Sequence, residues 1–156
     1  MFSNSVVCEI LNYIDINLNS KITIKDIENR LFYNKYYIVK LFKKEMGYTI
    51  FDYINNLRIN NSVNDITYSD KSFTRIALDN GFYSLEYFSE IFKKIIGVSP
   101  RIYKKYLDYN NNLDEDTKFL IRDNLIKLND LINFRDKYLS NVKPTSIPVK
   151  KLTIFD

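Results

Sequence analysis

The stretch KLFKKEMG at Lys40–Gly47 returns as EIFKKIIG at Glu90–Gly97, fifty positions later. A self-match at a fixed offset means that one local structure is built twice, which constrains the architecture more than any composition can. The match extends on both sides. Asn34, Tyr37, Phe42, Lys43, Lys44, Gly47 and Tyr53 pair with Ser84, Tyr87, Phe92, Lys93, Lys94, Gly97 and Tyr103. The offset is 50 after an internal turn and 49 before it, because the second turn is one residue longer.

Each copy reads as helices. Val7, Ile10, Leu11, Ile14 and Leu18 recur at helical spacing ahead of the first copy. Thr23, with Asp26 three positions on, has the form of a capping box. Ile24, Ile27 and Leu31 give a short helix its apolar face, and Phe32-Tyr33-Asn34 reads as a turn. Asn34 caps a third helix, Lys35–Met46, with Ile38, Leu41 and Phe42 inward, and Gly47 supplies the left-handed stop. Thr49 caps a longer helix over about 50–66, with Tyr53, Ile54, Leu57 and Val63 on its apolar side. The pattern then restarts. Ser72 caps a short helix containing Phe73, Ile76 and Ala77; a turn follows at Asn80–Tyr83; Ser84 caps Leu85–Ile96; Gly97 ends it; and Ser99-Pro100 opens another helix. Short helix, turn, longer helix and glycine stop is the helix-turn-helix plan, whose second helix enters a DNA major groove. With only three Gly and three Pro, the chain is expected to be all-α.

Composition removes other classes. No His and the single Cys8 exclude a His/Cys zinc site, a Ser-His or Cys-His pair and a disulfide framework. No carboxylate spacing supports a metal, so neither metal, cofactor nor enzymatic activity is expected. Cys8 reads as a small core residue in a reducing compartment. No run approaches the ~20 apolar residues of a membrane span. MFSNSVVCEI lacks the pattern of a signal peptide, so a cytoplasmic protein is expected. Residues 1–107 hold 15 Lys and Arg against 11 Asp and Glu, whereas residues 108–156 hold eight of each, so the whole net charge of +4 lies in the duplicated part.

Arg75–Lys104, R-I-A-L-D-N-G-F-Y-S-L-E-Y-F-S-E-I-F-K-K-I-I-G-V-S-P-R-I-Y-K, resembles the signature of the AraC/XylS family of bacterial transcription regulators. The first copy and Arg58-Ile59 add to the resemblance, which covers about Val7 to Tyr106. It implies two helix-turn-helix units joined by a long helix. The expected organisation is a DNA-binding domain over 1–107, with units at about 22–47 and 72–97 and a linker helix at about 50–66, followed by a C-terminal extension over 108–156. The resemblance also implies double-stranded DNA as partner and activation of transcription through contact with RNA polymerase. Family members often carry a ligand-binding domain as well; with about twenty residues before the first unit, none is expected at the N-terminus. The chain departs from the family pattern at Glu28 (usually Ala), Phe32 (often Gly), Ser62 (Ala) and Glu90 (often Arg).

In family members the residues matching Tyr36, Val39 and Lys40 face base edges. Lys40 can donate to guanine O6 or N7, and Val39 can touch a thymine methyl. Lys35, Lys43 and Lys44 suit phosphates. In the second unit Phe88, Ile91, Phe92 and Ile95 are expected inward, and Leu85, Glu86, Ser89, Glu90 and Lys93 outward. Glu86 or Glu90 could accept from cytosine N4. Alternatively this unit only grips the backbone through Lys93, Lys94, Arg101, Lys104 and Lys105. The paired Tyr37 and Tyr87 read as packing residues. A linker of about 16 residues spans ~24 Å, which with the width of each unit lets two recognition helices reach successive major grooves.

The extension breaks at Tyr109–Asn112 and then reads as an amphipathic helix over about 114–142, with Asp114, Glu115 and Asp116 at its start. Ile121, Leu125, Leu128, Ile132 and Leu139 fall at heptad spacing, interrupted by Arg135. This seam could pair two chains as a homodimer or fold back on the DNA-binding domain. Val149–Phe155 alternates like a strand. The rival reading is a protein-interaction module with degenerate DNA reading that recruits a partner through this helix; Glu28 and Glu90 favour it.

Overall fold

The computed structural model describes residues 2–140, which form α1 (Phe2–Asn17), α2 (Ile24–Leu31), α3 (Lys35–Met46), α4 (Ile50–Tyr68), α5 (Phe73–Asp79), α6 (Leu85–Ile96), α7 (Pro100–Tyr106) and α8 (Glu115–Ser140). No strand occurs among the described residues; the alternating Val149–Phe155 segment and the last two residues of the expected 114–142 helix lie outside them.

Local chemistry sets the helix ends. Thr23 Oγ1 accepts from the Asp26 amide and the Asp26 carboxylate accepts from the Thr23 amide, both at 3.1 Å, closing the capping box. Asn34, Thr49, Ser72, Ser84 and Ser99 each accept an amide hydrogen bond in the first turn of α3 to α7 in order. A cap of this kind contributes about 1 kcal/mol. Gly47 and Gly97 end α3 and α6 in the left-handed region, with φ of 80° and 99°. Phe32 ends α2 in the same region, with φ of 60°. Its counterpart in the second copy is Gly81, with φ of 86°. The departure from glycine at Phe32 therefore leaves the turn in place and puts a side chain where the backbone disfavours one.

Two separate cores result. Ile10, Ile14, Ile27, Ile38 and Phe42 fill the first, among α1 to α3. Ile76, Phe88, Phe92 and Tyr103 fill the second, among α5 to α7. The linker α4 serves both, turning Ile50, Tyr53, Ile54 and Leu57 to the first and Ile59, Val63 and Ile66 to the second. Two differently placed partners explain why α4 has no single apolar stripe. On one side of α4 the heads meet directly. Arg58 donates to the carbonyls of Leu18 and Ser20 at 2.9 and 2.7 Å, ending α1 against the linker. Gly81 of the second head sits so close that a Cβ there would lie 2.8 Å from the Leu18 carbonyl oxygen. Ser62, at the family's alanine position, is buried and donates its hydroxyl to the Arg58 carbonyl at 2.8 Å. The extra oxygen is thereby satisfied.

The heptad seam of α8 is used within the chain. Ile121 and Leu128 join the second core, with Leu125 partly buried against it; Ile132 joins the first, with Leu139 partly buried there. Of the two arrangements open from sequence, folding back is the one observed. In the homodimer reading Ile121, Leu125, Leu128, Ile132 and Leu139 would face a second chain; here those side chains cover the chain's own cores. Arg135 is not an interruption either. Its side chain is 2 % exposed, 3.8 Å from Asp15 on α1 and 2.9 Å from Asp136. A buried guanidinium needs such partners, because removing it from water is costly. Cys8 is a buried free thiol, and burial pushes its pKa up, which disfavours the reactive thiolate.

Candidate nucleic-acid interface

The outer face of α3 is built from its own helical register. With Ile38, Leu41, Phe42 and Met46 buried, Tyr36 is left 73 % and Val39 42 % exposed, flanked by exposed Lys35, Lys40, Lys43 and Lys44. None of these lysines is in an ion pair with another described residue. Lys35 Nζ lies 5.1 Å from the centre of the Tyr36 ring, and Lys43 Nζ is 3.3 Å from the Gly47 carbonyl oxygen. Tyr37 packs beside Tyr33, ring centres 5.7 Å apart. Glu28, the residue that departs from the family's alanine, accepts from the Lys35 amide at 2.8 Å. A carboxylate there satisfies a free amide at the start of α3 and complements the helix dipole. Glu28 thereby fastens α2 to the start of α3. Only the tertiary turn brings positions 28 and 35 together, so spacing alone could not show it.

On α6, Phe88 and Phe92 are fully buried as expected, while Ile91 and Ile95 are half-buried. Leu85, expected outward, is partly buried against the second core. Its place in the first turn, just after the aromatic turn containing Phe82, folds it inward. Glu86 and Glu90 are exposed without an ion pair among the described residues, and Ser89 is half-buried. Tyr87 stacks on Tyr83 at 4.8 Å, a packing role. Lys93 and Lys94 extend from the far end of α6, and Arg101, Lys104 and Lys105 from α7, all exposed. Lys104 Nζ is 5.8 Å from the Phe73 ring centre. These cations, too, lack acidic partners among the described residues. Lys71 and Arg75 differ: Asp79 holds them at 3.1 and 3.0 Å, and they in turn hold its carboxyl below the usual carboxylate range, the Lys71 hydrogen bond foremost.

No cluster of three metal-ligating side chains occurs among the described residues, and no described helix is long and apolar enough to cross a membrane.

A family model for a helix-turn-helix domain matches residues 27–106, from within α2 to the end of α7. The chain is 32 % identical over 104 residues to the transposon Tn10 TetD protein of Escherichia coli, covering 67 % of this chain and 75 % of that one. It is 30 % identical over 103 residues to the HTH-type transcriptional activator AarP of Providencia stuartii, covering 66 % and 76 %. A crystal structure of a Chromobacterium violaceum transcriptional regulator of the AraC-type DNA-binding class superposes with a TM-score of 0.62 at 22 % identity, over 69 % of this chain and 96 % of that one. The chain belongs to the AraC-type helix-turn-helix family. As an AraC-type protein it is a DNA-binding transcription regulator. The AraC-type fold is shared with the DNA-binding domain of AdpA, solved with a target DNA, at a TM-score of 0.60 and 18 % identity over 63 % of this chain and 88 % of that one. Some relatives are much longer: the chain spans 34 % of the regulatory protein PocR of Salmonella typhimurium.

Proposed function

We propose that this chain is a sequence-specific activator that sets α3 and α6 in successive major grooves on one face of the duplex. The observation that carries this reading is the set of exposed cations without acidic partners on α3, at the end of α6 and on α7, while Lys71 and Arg75 nearby share an ion pair with Asp79. Cations left free in this way are available to displace counterions from phosphates. The 19 residues of α4 give a connector ~28 Å long, and the heads at its two ends suit grooves ~34 Å apart. Residues 1–107 form the DNA-reading part. Tyr36, Val39 and Lys40 read bases in the first groove; Lys35, Lys43 and Lys44 hold phosphates there. In the second, Ser89, Glu86 and Glu90 face the bases, with a carboxylate accepting from cytosine N4. Lys93, Lys94, Arg101, Lys104 and Lys105 grip the backbone. Leu85, half-buried like Ser89, presents its remaining exposed edge at the start of the same face. The activator name of AarP supports positive regulation, exerted through contact with RNA polymerase.

Selection of binding sites from random duplexes tests this. Two boxes about one helical turn, ~10 base pairs, apart are expected, with affinity falling steeply as salt rises. No enrichment at any salt refutes it. A second reading, recruitment of a protein partner through α8, is favoured by Phe119 and Ile126, which are 65 % and 60 % exposed on its outer surface. It predicts a partner contact that salt barely weakens.

A further inference from the structure

Two heads with separate cores, joined by one helix, can rock about that helix. Here they are tied twice. On one side of α4, Arg58 and Gly81 press the second head against the end of α1. Tyr53 lies about 140° around the helix from Arg58, and that is the side α8 covers, since Tyr53 and α8's Leu131 line the same cleft. From there α8 reaches both heads. Its first half belongs to the second head: Ile121 and Leu128 are in that core, and Asn124 Nδ2 donates to the Ile96 carbonyl at 2.8 Å, capping the end of α6. Leu120 and Asn124 also close on Gly97, where a Cβ would lie 2.9 Å from each. Its second half belongs to the first head: Leu131 and Ile132 are in that core, and Arg135 is buried beside Asp15.

We infer that α8 is a brace that fixes the angle and separation of the two heads, and so sets the box spacing the chain accepts on DNA. The spacing part rests on the two-headed reading above; the brace itself does not. One base pair of added spacing moves the second box by ~3.4 Å and rotates it by about 35°. With the heads braced, the DNA must deform to bring both boxes into register, at an energy that depends on how far it is forced. With one end of α8 released, the heads follow the boxes instead.

Two measurements test this on the full chain. In a Cys8→Ala background, spin labels at Lys25→Cys on α2 and Thr74→Cys on α5, both exposed, report the head-to-head distance without DNA. A single narrow distance is expected. Arg135→Glu, which sets like charges against Asp15 and Asp136, releases the first-head end; Ile121→Asp, which buries a charge in the second core, releases the other. Each alone should broaden the distribution. On duplexes with the two boxes moved by single base pairs, the parent chain should lose about tenfold or more in affinity per step. The released variants should lose less than about threefold per step, from a weaker optimum. A broad distance distribution in the parent chain overturns the brace, and that result needs no variant to fold. So does an unchanged spacing profile in folded variants. A narrow distance that broadens when either end of α8 is released, in a chain that selects no DNA sequence, upholds the brace and sinks the DNA reading instead; a distance that stays narrow in both folded variants overturns the brace.

Discussion

Replacing Phe32 by glycine should stabilise the chain. Phe32 holds a left-handed backbone, φ 60° and ψ 33°, at the end of α2, and its side chain is 90 % exposed. For an L-residue that conformation costs ~1–2 kcal/mol. Glycine removes the cost but adds roughly 0.5–1 kcal/mol through the greater freedom of the unfolded chain. The ring is too exposed to contribute packing that would be lost. The net gain is roughly 0.5–1 kcal/mol, a rise in Tm of about 1–4 °C for a chain of this length. Phe32→Ala keeps the strain and removes only the ring, so it should leave Tm nearly unchanged. The same position in the other copy gives the opposite result. Gly81→Ala must adopt φ 86° and place a Cβ 2.8 Å from the Leu18 carbonyl oxygen, so strain and overpacking together should cost ~2–4 kcal/mol. Differential scanning calorimetry of the three variants is sufficient. A fall in Tm for Phe32→Gly would refute the strain argument and show that the ring carries a stabilising contact.

Gly47→Ala and Gly97→Ala occupy equivalent positions but should differ. Nothing lies within 4 Å of a Cβ at Gly47, so only backbone strain of about 1 kcal/mol applies. Gly97→Ala also collides with Leu120 and Asn124, and denaturant midpoints should show a further ~1–3 kcal/mol loss. Lys40→Ala should relax base preference at one position of the selected site and cost ~1–3 kcal/mol, whereas Lys44→Ala should weaken all sequences alike; competition binding on a mutated-site panel distinguishes them. Burial pushes the Tyr53 hydroxyl up and Tyr138 up to about 12. Both phenols therefore keep their protons longer in the folded chain. Stability should hold below the ordinary phenol value of about 10 and fall as pH rises beyond it, read as denaturant midpoints across alkaline pH.

The helix ends were legible because each is decided within a few residues. Thr23 with Asp26, Asn34, Ser84 and the two glycines all act on amides and carbonyls of their own turn. The two-headed plan was legible because it is written twice. What stayed hidden depends on residues far apart in sequence. Ile121, Leu128 and Ile132 show the same spacing whether they face a second chain or their own, and nothing local distinguishes the two. Arg135 looked like a fault in a heptad because its partner, Asp15, lies on the first helix. Glu28 reads only as a departure from the family's alanine, because its partner, the Lys35 amide, is brought to it by the turn. Leu85 is half-buried rather than fully outward because the first turn of a helix obeys its flanking loop as much as its own period.

The double attachment of α8 also has an order in time. During synthesis both heads are made before the helix that joins them, so each core can close on its own contacts first. Until α8 docks, the pair is two small units with apolar surface still open along Met46 and Tyr53 on one and Phe92 and Ile96 on the other. Docking then closes both at once and couples them. The finished chain should therefore unfold in a single transition, although it was assembled as two halves.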